Sequence, residues 1–235
     1  MVWTPEFDLE QWYLAALQDG SPAFYTADQQ ADYNHRFVCF AAETRIAARG
    51  GPVAAEDIGT GRLLRTLDAG LQPVAWYGQR RLAGRGAAAP VLFAPGTIGN
   101  HAPLRLSQQH RVLLRSPLAE LMFGTAEVLV PARALVNGTS IRIAPCARIT
   151  YVHVLLEAHH ILRAEGALCE SLLMGDEAMR LLQAPRCAGR AAMRPARPIL
   201  RGFEAAALVR APPAKTAPRP PRAAPVTRIP ACAAL

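Results

Sequence analysis

The sequence predicts an all-β domain with a short helical segment before it and a disordered tail after it. Three observations lead there. Between residues 39 and 164, short runs of β-forming residues alternate with Gly and Pro turn signals. No long stretch of 3.6-residue periodicity separates those runs, which argues against a βαβ architecture. Beyond residue 180 the composition changes: 10 of the 20 prolines fall there, mixed with Ala and Arg. Such a segment buries too little apolar surface to offset its ordering entropy.

Taken in order, residues 5–17 (PEFDLEQWYLAAL) read as a helix, with Thr4 placed to cap it and Pro5 suited to its first turn. The stretch Ser21 to Asn34 is rich in turn formers and Gln and reads as a linker. From Cys39 the texture becomes β-like, with strands near Thr44–Ala48, Pro52–Ile58, Leu63–Leu67 and Pro73–Tyr77. Asp68-Ala69-Gly70 supplies the turn between the last two. Further strands are expected at Val91–Ala94, His110–Arg115, Glu127–Val130, Ser140–Ile143, Ile149–Leu156 and His160–Ala164. A short helix over Asp176–Gln183 precedes the tail.

The net charge of +8 is unevenly spread. From Arg180 onward there are 11 basic residues and one acidic, whereas the preceding part has 15 basic and 17 acidic. The basicity therefore belongs to the tail, where weak binding to acidic surfaces is the functional reading and simple solvation the plainer one. The near-neutral folded part gives no electrostatic reason to expect nucleic-acid binding. No apolar run reaches the length of a membrane span. The amino terminus lacks a basic segment followed by a long apolar one. The expected location is cytoplasmic, with signal-independent export as the alternative. Five cysteines without a C-x-x-C pair suggest neither a disulfide framework nor a cysteine zinc site.

Three stretches carry chemistry. The first is Val38-Cys39-Phe40-Ala41-Ala42-Glu43-Thr44-Arg45-Ile46, the second Leu106-Ser107-Gln108-Gln109-His110-Arg111-Val112-Leu113-Leu114. The third runs from Tyr151-Val152-His153 through His159-His160 and Ala164-Glu165-Gly166-Ala167 to Glu170-Ser171. A thiol can attack a peptide carbonyl only if the developing oxyanion meets donors and the departing nitrogen is protonated. Histidine suits the proton transfer because its pKa lies near working pH. A hydroxyl three residues earlier on a turn can orient that histidine or the scissile carbonyl, which makes Ser107 and His110 a sensible pair.

Together these stretches resemble the hedgehog/intein (Hint) superfamily, most closely its stand-alone bacterial branch. That branch opens with Cys-Phe-x-x-Gly-Thr-x-Ile. A Ser-x-x-His-Arg-Val-Leu block follows, then a closing Tyr-x-His…His…Ala-x-Gly-Ala…Glu-Ser block. The resemblance covers about Cys39 to Gly175 and implies a horseshoe of short strands. It implies Cys39 as nucleophile, Ser107 and His110 as the activating pair, and His159 in the closing block. The implied organisation is a substrate segment 1–38, a Hint domain 39–175, and residues 176–235 as short helix and tail. The implied activity is an N–S acyl shift at Val38–Cys39, a single-turnover event in cis with the chain's own amino-terminal segment as substrate.

Two departures shape the expectation. Splicing inteins end on His-Asn, but the matching positions here are Glu170 and Ser171, and the three asparagines, Asn34, Asn100 and Asn137, lie elsewhere. The thioester would then be cleaved by water or an external nucleophile, without Asn-driven splicing. Glu43 stands where the family usually has Gly, which is costly if that position needs a positive φ. The alternative is a degenerate Hint fold acting as a non-catalytic binding or scaffold module. No cofactor and no metal are expected, because His110, His153 and His159 match no compact ligand spacing. His153 reads as a satisfied core residue on a hydrophobic strand.

Overall fold

The computed structural model describes residues 38–173 and 193–210. The helices read over 5–17 and 176–183 and the linker from Ser21 to Asn34 lie outside the described residues. The described part is mostly β, with strands β1 (Phe40–Ala41), β2 (Arg45–Ile46), β3 (Val53–Ala54), β4 (Leu63–Arg65), β5 (Leu71–Gly84) and β6 (Val91–Phe93). There follow β7 (Leu104–Leu106), β8 (Arg111–Arg115), β9 (Glu127–Pro131), β10 (Ile141–Ile143), β11 (Cys146–Leu156), β12 (Ile161–Ala164) and β13 (Ala167–Glu170). Two helices join them, α1 (Pro117–Phe123) and α2 (Gly202–Arg210).

The strands form two antiparallel sheets. One has seven strands in the order β10-β6-β7-β1-β11-β5-β4, the other six in the order β3-β2-β12-β13-β8-β9. A core that includes Phe40, Ile46, Leu64, Phe93, Leu104, Leu106, Val130, Val152, Val154, Leu156 and Leu162 draws on both. Alternation explains how: on β7 the pattern is buried, exposed, buried, so Leu104 and Leu106 face in while Arg105 faces water.

Several elements differ from the sequence expectation. The strand read at Pro73–Tyr77 extends over Leu71–Gly84, because β11 runs alongside it from Cys146 and supplies a partner for polar residues such as Gln79 and Arg80. The strand read over Pro52–Ile58 stops at Ala54 and becomes a 3-10 turn over Ala55–Asp57. Helix α1 is set by local signals: the Ser116 hydroxyl accepts from the Leu118 amide, Pro117 opens the first turn, and Gly124 closes it with φ 72°.

Residues 193–210, which composition assigns to the tail, pack onto the domain. The Leu129 amide donates to Pro198 O at 2.8 Å and the Leu200 amide to Leu129 O at 2.9 Å. Arg197 reaches Glu127 at 2.5 Å and Asp68 at 2.8 Å. Leu200, Ala205 and Leu208 are buried in the main core.

The Glu43 position needs no glycine. Among the described residues the one non-Gly residue with positive φ is Glu165 (49°). Glu43 instead pairs at the surface with Arg105 at 3.0 Å. Gly166 does need to be glycine: its φ is 96°, and a Cβ there would lie 2.8 Å from Gly99 O and 2.9 Å from His101 Nδ1.

Candidate functional site around Cys39

Strand register assembles the site. Phe40 on β1 pairs with Leu106 of β7 on one side and Val152 of β11 on the other. In an antiparallel pair the residue before Phe40 lies opposite the residues after Leu106 and Val152. Cys39 is therefore flanked by Ser107 and His153. His110 is brought in by the turn after Ser107, closed by the His110 amide donating to Ser107 O at 3.1 Å. Buried Gln108 pins that turn, donating to Gly86 O at 2.9 Å and Ala89 O at 3.1 Å.

The contacts surround the Val38–Cys39 peptide. The Cys39 amide donates to Ser107 Oγ at 3.1 Å, and the Ser107 side chain also hydrogen-bonds the thiol. The Cys39 carbonyl accepts from the Ser107 amide at 3.1 Å and from His110 Nδ1 at 3.0 Å. His153 Nδ1 lies 3.1 Å from Val38 O, and Cys39 Sγ lies 3.5 Å from Nδ1 and 3.7 Å from Nε2 of the same ring. Assigning the proton to Nδ1 satisfies both contacts: Nδ1–H donates to the Val38 carbonyl, and bare Nε2 is left to accept from the thiol.

Burial dominates the electrostatics. It pushes the Cys39 thiol well above its usual range, with the Ser107 hydrogen bond offsetting part of the effect. It lowers His153 to about 4, against a smaller opposing contribution from the Val38 carbonyl. It likewise lowers His110 to about 4, opposed by Glu170 and by the Cys39 carbonyl. His110 Nε2 is buried and makes no well-formed hydrogen bond, although the Glu170 backbone is near enough to favour its protonation. The ring packs edge-on against Phe40, with centroids 4.4 Å apart.

His159 takes a different place. Its Nε2 lies 3.1 Å from Glu170 Oε2, and its Nδ1 accepts from the Ala196 amide at 2.9 Å. Glu170 is completely buried and also accepts from the Arg111 amide at 2.9 Å and from Arg111 Nη1 at 3.0 and 3.2 Å. None of the hydrogen bonds of His159 reaches Cys39. His153, which the sequence reads as a core residue, is the imidazole that the structure places against the Cys39 thiol and the Val38 carbonyl; a histidine on a hydrophobic strand has a core reading unless the register with β1 is known.

The Hint domain family model matches residues 38–176, more than half of the chain. The chain belongs to the Hint domain family. Among solved structures, a variant of the gp41-1 intein is 11% identical, with 57% of this chain and 98% of that one covered and a TM-score of 0.38. The MchDnaB-1 intein is 12% identical (56% and 98% covered, TM-score 0.37). A bacterial intein-like domain from Clostridium thermocellum is 12% identical (57% and 97% covered, TM-score 0.37). No curated protein matches the chain.

Within this Hint domain, Cys39, Cys146 and Cys169 are free thiols. Cys39 and Cys169 lie in different apolar clusters. Among the described residues no three His, Cys, Asp or Glu side chains converge as a metal would require. None of their helices is long and apolar enough to cross a membrane.

The depressed histidines give a stability expectation. His110 and His153, near 4 when folded and near 6.5 when exposed, bind fewer protons in the folded chain between those values. Their contribution is therefore present above pH about 6.5 and lost as pH falls toward 4, on the order of 3 kcal/mol per histidine. Urea unfolding at pH 7 and pH 4.5 should show the midpoint falling on acidification, with a weaker fall in His153→Gln. An unchanged midpoint would mean that these rings are not held neutral by burial.

Proposed function

We propose that this Hint domain cleaves its own chain at the Val38–Cys39 bond through a thioester. The observation that carries the reading is one imidazole, His153, in contact with both the thiol and the scissile carbonyl. In the first step the Sγ proton passes to His153 Nε2 and Sγ bonds to the Val38 carbonyl carbon. The resulting oxyanion is held by His153 Nδ1–H. Collapse breaks the C–N bond. The departing Cys39 nitrogen takes a proton from the Ser107 hydroxyl, whose oxygen accepts from that nitrogen's N–H at 3.1 Å. Ser107 regains a proton from solvent and the His153 imidazolium releases the thiol's proton to solvent, so the balance closes. The products are a Val38 thioester and a free Cys39 amine.

His110 holds the Cys39 carbonyl in this scheme, fixing the far side of the leaving nitrogen, and His159 supports Glu170. Glu170 and Ser171 stand where splicing would require His and Asn, so no side-chain amide cyclises. Water or an external thiol or alcohol attacks the thioester and releases the segment ending at Val38. The elevated thiol pKa supports a second reading, a Hint fold that has lost activity and serves as a scaffold. The two separate by intact mass. Incubation with dithiothreitol should yield a fragment beginning at Cys39, faster than without thiol and absent in Cys39→Ala. A chain that stays intact under both conditions would overturn the cleavage reading and favour the scaffold one.

A further inference from the structure

Val38 is buried in an apolar cluster separate from the main core. Leu155 and Leu172 share the cluster, and the half-buried Trp76 and Met193 pack against it. The walls come from several elements: Trp76 from β5, Leu155 from β11 two residues beyond His153, and Leu172 from just after β13. The Leu172 amide is tied to Val154 O at 2.8 Å. Met193 comes from beyond the family match, in the segment that Ala196, Arg197, Pro198 and Leu200 anchor.

We propose that this cluster is a pocket selective for a branched aliphatic residue at the acyl position before Cys39, closed on one side by Met193 of the returning segment. The inference rests on the cleavage reading above. Its physical basis is orientation: the Val38 side chain and carbonyl carbon are both carried by Cα, so seating the side chain limits the positions open to the carbonyl. That keeps the carbonyl oxygen 3.1 Å from His153 Nδ1, on the ring that also contacts Sγ, the kind of positioning an attack requires. The N–S shift leaves the side chain on the same acyl group, so the pocket also holds the thioester until a nucleophile arrives. The walls that the cluster supplies are aliphatic, aromatic and thioether, so a charged acyl residue would enter without a partner. Residues 193–210 thus belong to the working unit, although the family model ends at residue 176.

The full chain tests this with dithiothreitol-induced cleavage followed by intact mass. Val38→Ala should be slowed about tenfold, the lower end for lost methyl groups in an apolar pocket, and Val38→Asp more. Val38→Phe should be slow alone and recover about tenfold when combined with Met193→Ala, which opens the wall. A contact readout needs no cleavage: in the Cys39→Ala chain, with 13C-methyl methionine, Val38→Ala should shift the resonance assigned to Met193 by Met193→Leu. An unmoved Met193 signal would overturn the proposed wall. A wild-type chain that cleaves while Val38→Asp cleaves as fast would overturn the pocket and leave the cleavage reading standing. A wild-type chain that never cleaves would sink both.

Discussion

His153→Ala is expected to slow thiol-induced cleavage by roughly a hundredfold to ten-thousandfold, the range for losing a positioned proton-transfer group. The loss is large because two contributions vanish together. The thiol, held neutral by burial, loses the nitrogen 3.7 Å away that is proposed to take its proton. The Val38 carbonyl loses the donor at 3.1 Å that is proposed to meet the oxyanion. His153→Gln separates the two, since its amide can donate to the carbonyl but cannot take up the proton. It should fall between wild type and His153→Ala. The pH dependence follows from the same ring. With His153 lowered to about 4 by burial, it is neutral and able to accept a proton throughout the neutral range. The rate should hold down to pH about 5 and fall as pH passes through 4. His159→Ala provides the contrast: its hydrogen bonds go to Glu170 and Ala196, so its main effect should be on the unfolding midpoint. If His159→Ala abolished cleavage in a fully folded chain while His153→Ala did not, the assignment would be reversed.

The difference between these two histidines shows where the sequence stops informing. Cys39, Ser107 and His110 are singled out by the resemblance of their blocks to the Hint family, and the structure places all three around the Val38–Cys39 peptide. His153 depends on a long-range fact, the pairing of Phe40 with Val152 across 112 positions of chain. Nothing local distinguishes it from a histidine buried for packing. A slip of one residue in β11 would turn its ring to the opposite face. His159 is singled out by motif position alone, which does not say which strand end meets which; its hydrogen bonds go to Glu170 and Ala196.

The all-β reading came from local turn chemistry, and most strands fell near the expected places. Lengths were less legible. β5 includes Pro73, Gly78 and two adjacent arginines, a composition poor in strand formers, and its extent is set by pairing with β11. Residues 193–210 pack on the domain although composition places them in the tail, for a related reason. Their few apolar side chains look insufficient when counted locally, but Leu200, Ala205 and Leu208 enter a core that the sheets have already built. A short segment can dock at low cost on such a surface, since the backbone groups of Leu129 stand ready to pair with Pro198 and Leu200. Composition reports what a segment buries by itself, and here the other half of the interface comes from β9.

Glu170→Ala is expected to destabilise the fold by about 3–5 kcal/mol, the cost of breaking a buried ion pair by removing one partner. The carboxylate is completely buried and accepts from the Arg111 amide, the Arg111 guanidinium and His159 Nε2. Alanine would leave all three donors without an acceptor. The Arg111 side chain keeps about a quarter of its surface exposed, so solvent relieves part of that loss and the lower end of the range applies. For a domain of this size the melting temperature should drop by roughly 10 °C. Glu170→Gln retains one acceptor oxygen but offers an N–H to a donor on its other side, and should cost about 1–3 kcal/mol. The double variant Arg111→Met, Glu170→Leu should recover much of the loss, because apolar groups leave no charge stranded. Recovery of stability would identify the pair as a replaceable anchor for β8 and β13. The same variant would also test whether the cluster matters for His110, whose ring Glu170 biases toward protonation. If cleavage stays slow in the restored fold, the carboxylate acts on the chemistry through His110; if it returns with stability, Glu170 serves only to hold the strands.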